Sequence, residues 1–208
     1  MAIFEKIEIA DKVQEIADAV YNKGKKDEYD AFWDKYQQNG TREYYDYSFY
    51  EEGWTDETFK PKYPIAPISA QYCFTLSLLT HIPCLDLSNC TKAGRMLNNS
   101  AVERIDRMIF SANTSLSNMF SGASSLIDVG FEGMIAKDIN LEPCELLSKA
   151  SIESLVDCLS GTSPGNTAYM NPDAINNAYG IDVYDETTYT EEYLNLLAKK
   201  PKWEIWCD

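Results

Sequence analysis

Ser117-Asn118-Met119-Phe120-Ser121-Gly122-Ala123-Ser124-Ser125-Leu126 is the stretch whose reading decides the fold. Met119 and Phe120 sit where a short helical turn would bury them. Gly122 ends that turn, because glycine takes a positive φ at little cost. The two serines lead into Leu126-Ile127-Asp128-Val129, a short apolar run of strand composition. Turn, glycine, serines and strand together make one unit of a repeat.

The unit recurs upstream. Phe74 precedes Leu76-Ser77-Leu78-Leu79 and then the run Ile82 to Leu87. Met96-Leu97 precedes Asn98-Asn99-Ser100-Ala101 and then Val102-Glu103-Arg104-Ile105. The interval from Phe74 to Leu97 equals that from Leu97 to Phe120. This period falls within the roughly 20–29 residues of leucine-rich repeats. Phe74, Leu97, Met119, Phe120 and Leu126 are therefore the expected repeat core. The fold class expected is α/β: a short leucine-rich-repeat solenoid with a helical and aromatic N-terminal cap and a mixed C-terminal cap.

The 118–126 signature resembles the BspA-like leucine-rich repeats of bacterial surface proteins, which have a Met-Phe, small residue, Ser-Leu core. A closer similarity is to a set of bacteriophage structural proteins that carry such repeats in a fixed frame. Here the frame runs in order through Glu28 to Gly40, Gly53 to Tyr63, Phe131-Glu132-Gly133, Leu147 to Leu155, Ala174 to Tyr179 and Leu197 to Trp203. Two features depart from it. Met96-Leu97 replaces Met-Phe in the second unit, and the stretch from Gly165 to Met170 is less regular.

The resemblance implies a phage virion protein, tail-associated, whose repeat surface recognises the host surface. Its partners would be other virion proteins and a host-cell-surface protein or glycan. It would be synthesised in the host cytoplasm and end in the virion. Two other readings stay open: capsid decoration or scaffolding without receptor binding, and a bacterial surface adhesin.

Composition narrows the classes. The 208 residues carry a net charge of −15. Such acidity repels a phosphate backbone, so nucleic-acid binding is not expected. The one lysine cluster, Lys23, Lys25 and Lys26, is followed at once by Asp27, Glu28 and Asp30. No membrane span and no secretion signal are expected, because no apolar run is long enough and the start, Met1 to Lys6, lacks a basic region. The six cysteines show no C-x-x-C spacing. Cys73, Cys84 and Cys158 are expected to pack as small apolar residues of the repeat core, and neither a metal nor a disulfide is implied.

Residues 1–24 read as a helix for oligomerisation or docking. Ile9, Val13, Ile16 and Val20 follow heptad spacing, which points to a homo-oligomer; the same helix could instead pack on its own chain. Residues 25–67 read as the aromatic cap. They hold Tyr29, Phe32, Trp33 and Tyr36 at helical spacing, then a dense aromatic block over 43–63. Such a cap seals the apolar end of a stack. A rival reading makes that block a sugar-stacking platform. Residues 68–161 carry the repeats and end in a helix over 148–159 capped by Ser148 or Ser151. Residues 162–208 form the C-terminal cap: helices over 172–180 and 190–197, then an edge strand over 203–206.

No catalytic constellation is visible. His81 is the one histidine. A pair with Cys73 or Cys84 is conceivable, but no third group orients it. Phosphate-loop, dinucleotide, zinc-protease and calcium-loop motifs are all missing, so no enzyme activity, cofactor or metal is expected.

Overall fold

The computed structural model describes residues 16–17, 26–50, 54–161 and 165–207. The chain is a mixed α/β protein with parallel sheets. The first sheet contains β1 (His81–Ile82), β2 (Leu85–Leu87), β3 (Arg104–Phe110) and β4 (Asp128–Gly133). The second contains β5 (Ile139–Leu141), β6 (Asn166–Met170) and β7 (Trp203–Trp206), in that spatial order. The helices are α1 (Lys26–Tyr36), α2 (Lys149–Cys158), α3 (Pro172–Tyr179) and α4 (Glu191–Ala198).

β1 and β2 form one line against β3, interrupted at Pro83, whose nitrogen has no hydrogen to give a ladder. His81 pairs with Arg104 and Leu85 with Met108, each one repeat period further on. β3 then pairs with β4, Ile105 with Val129 and Met108 with Phe131. Inward side chains stack from strand to strand: Ile82, Ile105 and Val129, then Leu85, Met108 and Phe131, all buried.

A second ladder runs through the turns. Tyr44, Ser69, Lys92 and Ser115 form a row of parallel bridges. Along 70–77 the amides alternate. Those of Ala70, Tyr72, Phe74 and Leu76 donate to Lys92, Gly94, Met96 and Asn98. Those of Cys73, Thr75 and Ser77 close turns onto Ala70, Tyr72 and Phe74. Residues 93–100 repeat the pattern against 115–121. The alternation satisfies amides that would otherwise be buried unpaired. It also forces positive φ at equivalent places: Tyr47, Tyr72, Arg95 and Asn118 in one column, Leu76, Asn99 and Gly122 in another. Gly122 is the member of its column best suited to that conformation.

The expected core residues Phe74, Leu97, Met119, Phe120 and Leu126 are all buried. The ladder also begins earlier than the sequence suggested. Tyr45, Tyr47 and Phe49 donate to Ser69, Gln71 and Cys73, and the Phe49 ring stacks on Phe74 at 5.0 Å. The first part of the aromatic block is thus one more unit. The sealing cluster beyond it is Trp33, Trp54 and Phe59, all buried, with Trp33 5.3 Å from Trp54.

Side-chain oxygens close the first sheet beside β1 and β4, while β2 continues onto Ile65, whose carbonyl accepts from Asp86 N–H. In the interior, Thr80 O accepts from Glu103 and Arg104, and Glu103 O from Ile127 and Asp128. One unit earlier the Asp56 carboxylate takes the carbonyl's part. Its Oδ1 accepts from Thr80 N–H at 2.9 Å and His81 N–H at 3.2 Å, and its Oδ2 from the Thr80 hydroxyl. At the other edge α2 lies along β4. Ser151 Oγ accepts from Val129 N–H at 2.8 Å and Ser154 Oγ from Phe131 N–H at 3.3 Å. Two hydroxyls stand in for a strand, leaving no open edge for another chain to pair with there.

The C-terminal helices follow their caps. Ser148 caps α2, Asn171 caps α3 with Pro172 at its first position, and Thr190 caps α4. Gly180 ends α3 at φ +64°. Trp203 anchors β7 by donating from Nε1 to Ser160 O at 2.7 Å.

Four expectations are corrected. The strand expected over 102–105 is β3, over Arg104–Phe110, which runs on through a bulge at Asp106 and Arg107. The strand expected to begin at Leu126 starts at Asp128, and Leu126 is a buried turn residue. The run 134–141, whose apolar residues also read as a strand in the sequence, is strand only over Ile139–Leu141. Cys84 is half-buried beside Arg107 and Asp86, not a core residue, because it follows the break at Pro83. Of the heptad positions, Ile9, Val13 and Val20 lie outside the described residues. Ile16 is 53 % exposed, while its neighbour Ala17 is fully buried.

Candidate functional site

Strand alternation turns one side of the first sheet outward. Its outward side chains are His81 from β1, Asp86 from β2, Arg104, Asp106 and Arg107 from β3, and Asp128 and Glu132 from β4. Asp106 and Arg107 both face out because β3 has one more residue than β4 between Ile105 and Met108, a bulge. Gly130 makes room for it: a Cβ there would lie 2.3 Å from Asp106 O.

These groups are paired both across the strands and along β3. His81 Nε2 lies 3.0 Å from Asp106 Oδ2, and Arg104 Nε lies 2.6 Å from Asp106 Oδ1. Burial pushes the Asp106 carboxyl up, but the His81 and Arg104 partners outweigh it and hold the group below the usual carboxylate range. Arg107 grips Glu132 with a two-pronged fork, Nε to Oε1 at 2.9 Å and Nη2 to Oε2 at 2.8 Å. The fork holds Glu132 low and Arg107 high. At this exposure such pairs add little stability. Their effect is to fix the directions in which the charges point.

Beside the bulge, between β3, β4 and α2, lies a cleft of about 300 Å³. Arg104, Asp106, Asp128, Gly130, Ser151 and Ser154 contribute to its lining. The two serine hydroxyls are engaged with strand amides, so they hold the wall together. The cleft offers the Arg104 guanidinium and the Asp106 carboxylate, which orient each other, an arrangement suited to recognising a polar, charged group. A second cleft of about 550 Å³ lies between α2 and α4, lined by Glu153, Glu191, Glu192, Asn195 and Lys199 among others. Among the described residues no group of three or more His, Cys, Asp or Glu is placed to hold a metal ion. No described helix is long and apolar enough to cross a membrane.

The turn face carries a column of its own. Tyr47 stacks on Tyr72 at 4.8 Å with rings 6° from parallel, and the Arg95 guanidinium lies 5.8 Å from the Tyr72 ring centre. The aromatic block read as a possible sugar platform is divided. Tyr45, Phe49, Trp54 and Phe59 are buried, and Tyr44 is 62 % exposed.

His81 meets Asp106, not the cysteines considered from sequence. Cys73, Cys90, Cys144 and Cys158 are buried thiols, and burial raises the pKa of each, to about 12 for Cys144 and about 11 for Cys158. Sequence reasoning missed the outward charges of β3 and β4 as one surface. The constant repeat period could have aligned them. It missed the capping role of Asp56 as well, and no local signal marks that residue. Compared with known proteins, the chain matches no family model, and no curated protein or solved structure matches it significantly.

Proposed function

We propose that the chain is a short leucine-rich-repeat solenoid that works by binding and catalyses no reaction. The observation that carries this reading is the outward face of the first sheet. There, successive units, each one period after the last, contribute His81, Arg104, Asp106, Arg107, Asp128 and Glu132 to one continuous charged surface. Repeat stacks use such surfaces for recognition. The oriented ion pairs favour a polar partner, a protein surface or a charged glycan, over an apolar one.

The setting rests on the sequence resemblance: a phage virion protein, tail-associated, presenting this face to a host-cell surface. Immunogold labelling of purified particles tests the setting, and binding of the isolated protein to host cells tests the face. Label at the tail tip is expected, with cell binding lost in an Arg104→Glu, Arg107→Glu variant that keeps the parent circular dichroism. Label spread over the capsid would replace adsorption with decoration. Undiminished cell binding by the variant would remove the sheet face from the reading.

A further inference from the structure

The turns of the repeat stack carry a charge pattern unlike the rest of the chain. The chain has 33 Asp and Glu, yet the segments 64–80, 88–102 and 111–127, which hold the turn ladder, contain none. Their only charged side chains are Lys92 and Arg95. Both are exposed, and among the described residues neither has an ion-pair partner. Asp46, one unit earlier, is turned to Ser69 and Gln71, its Oδ1 accepting from the hydroxyl of the first and the N–H of the second at 2.7 Å each. Arg95 is held in place by the Tyr72 ring, whose centre lies 5.8 Å from the guanidinium, within cation–π range. Tyr72 in turn stacks on Tyr47. Tyr72, Arg95 and Asn118 occupy the same place in successive units, with φ of +57°, +53° and +53°. Among the described residues, the Tyr72 hydroxyl, the Arg95 guanidinium and the Asn118 carboxamide make no hydrogen bond. Three consecutive rungs of the ladder, roughly 4.8 Å apart, thus carry uncommitted polar groups.

We propose that this column is a second binding site, which takes an extended glycan carrying scattered carboxylates. The charged face of the first sheet is no part of it, and the proposal stands independently of the function above. Three features select the ligand. The Arg95 guanidinium is a planar fork that matches a carboxylate, and no carboxylate of the turn segments competes for it. Two cations in a chain of net charge −15 are too few for a densely charged polyanion such as a nucleic acid. The rung spacing is close to the length of one sugar unit in an extended polysaccharide, so successive sugars meet successive rungs. Sugar hydroxyls both donate and accept, as do the Tyr72 hydroxyl and the Asn118 carboxamide. An acidic protein segment has carboxylates for Arg95 but no such run of hydroxyls for the rungs beside it.

Biolayer interferometry of the full chain on immobilised polymers tests it, in roughly 0.15 M salt, where a Debye length of about 8 Å screens the remote acids. The probes are hyaluronan and alginate as acidic glycans, dextran as a neutral one, and polyglutamate as a carboxylate polymer without sugars. Saturable binding to at least one acidic glycan is expected, with little to dextran or polyglutamate. Arg95→Asn should weaken that binding about tenfold or more, since a charge-assisted pair of hydrogen bonds is lost. Its circular dichroism should be unchanged, because asparagine accepts the left-handed backbone, as Asn118 does one unit on. Lys92→Gln should weaken binding less, and it serves if the Arg95 variant fails to fold. Arg104→Gln with Arg107→Gln, on the sheet face, should bind as the parent does. Absence of binding to both acidic glycans overturns the proposal, as does equal binding to dextran or polyglutamate. So does binding that survives both turn substitutions, or that is lost in the sheet-face variant and indifferent to Arg95.

Discussion

Asp56 stands to Thr80 as a carbonyl stands to an amide in a parallel ladder: its Oδ1 accepts from Thr80 N–H at 2.9 Å and also from His81 N–H. A side chain one unit upstream thus starts the sheet. Burial pushes the Asp56 carboxyl up, but the Thr80 hydroxyl and the two amides outweigh it and hold the group below the usual carboxylate range. The unfolded chain therefore binds the proton more readily than the folded one. The stability Asp56 contributes is complete above about pH 5 and is lost as the pH falls below about 4. Asp56→Ala should cost about 1–3 kcal/mol at neutral pH and flatten the acid limb of the melting curve, measured by thermal denaturation from neutral to acid pH.

At the opposite edge, Ser151→Ala strips the acceptor from the buried Val129 amide. Denaturant unfolding should report a loss of about 1–3 kcal/mol. Ser154→Ala should cost less, because its bond to Phe131 is longer at 3.3 Å and the site is partly exposed.

Leu76 has φ +56° and is 41 % exposed, in the column that Gly122 occupies in the third unit. A left-handed conformation costs a residue with a Cβ roughly 1–2 kcal/mol. Leu76→Gly should therefore stabilise the protein by about 1 kcal/mol and raise its melting temperature. An equal or lower melting temperature would mean that the Leu76 side chain makes contacts worth more than the strain.

Gly130→Ala tests the bulge. The added methyl would meet the Asp106 carbonyl, which is backbone and cannot swing aside. A loss of about 1–3 kcal/mol is expected. If this variant folds at lower temperature, the His81–Asp106 pair should also be disturbed, visible as a changed imidazole chemical shift.

The buried thiols should be silent in the native protein. Cys73, Cys90, Cys144 and Cys158 are protonated at neutral pH, and a thiol is a poor nucleophile in that form. A disulfide reagent should label the half-buried Cys84 ahead of those four, which should react only as the chain unfolds.

What the sequence showed and what it hid divide along one physical line. Local chemistry was readable. Ser148 caps the helix expected of it, the helices expected over 172–180 and 190–197 are present, and the Phe74, Leu97, Phe120 recurrence marks the buried column. Contacts that depend on where one unit lands on another were not. Asp56 is an ordinary acidic residue until the chain returns to lay Thr80 beside it. Asp106-Arg107 breaks the strand alternation, and the bulge that accommodates the break exists only against β4. Phe49 was counted with the cap because it sits in the dense aromatic block, and its interval to Phe74 is slightly longer than the one from Phe74 to Leu97. The charged face of the first sheet was hidden for the same reason, since its members come from four strands and share no motif.

The near-constant spacing of the ladder partners has a consequence for how the molecule forms. Parallel sheets ordinarily join residues far apart in the chain and fold slowly. Here strand partners in the first sheet are a single repeat period apart, as His81 is from Arg104 and Arg104 from Asp128. Even β6 and β7 are separated only by α3, α4 and their short connections. Closing a loop of one period instead of one twice as long saves about 0.6 kcal/mol of chain entropy, and that saving recurs at every step. Growth can then start at any one unit and advance to its neighbour, each closure no harder than the last.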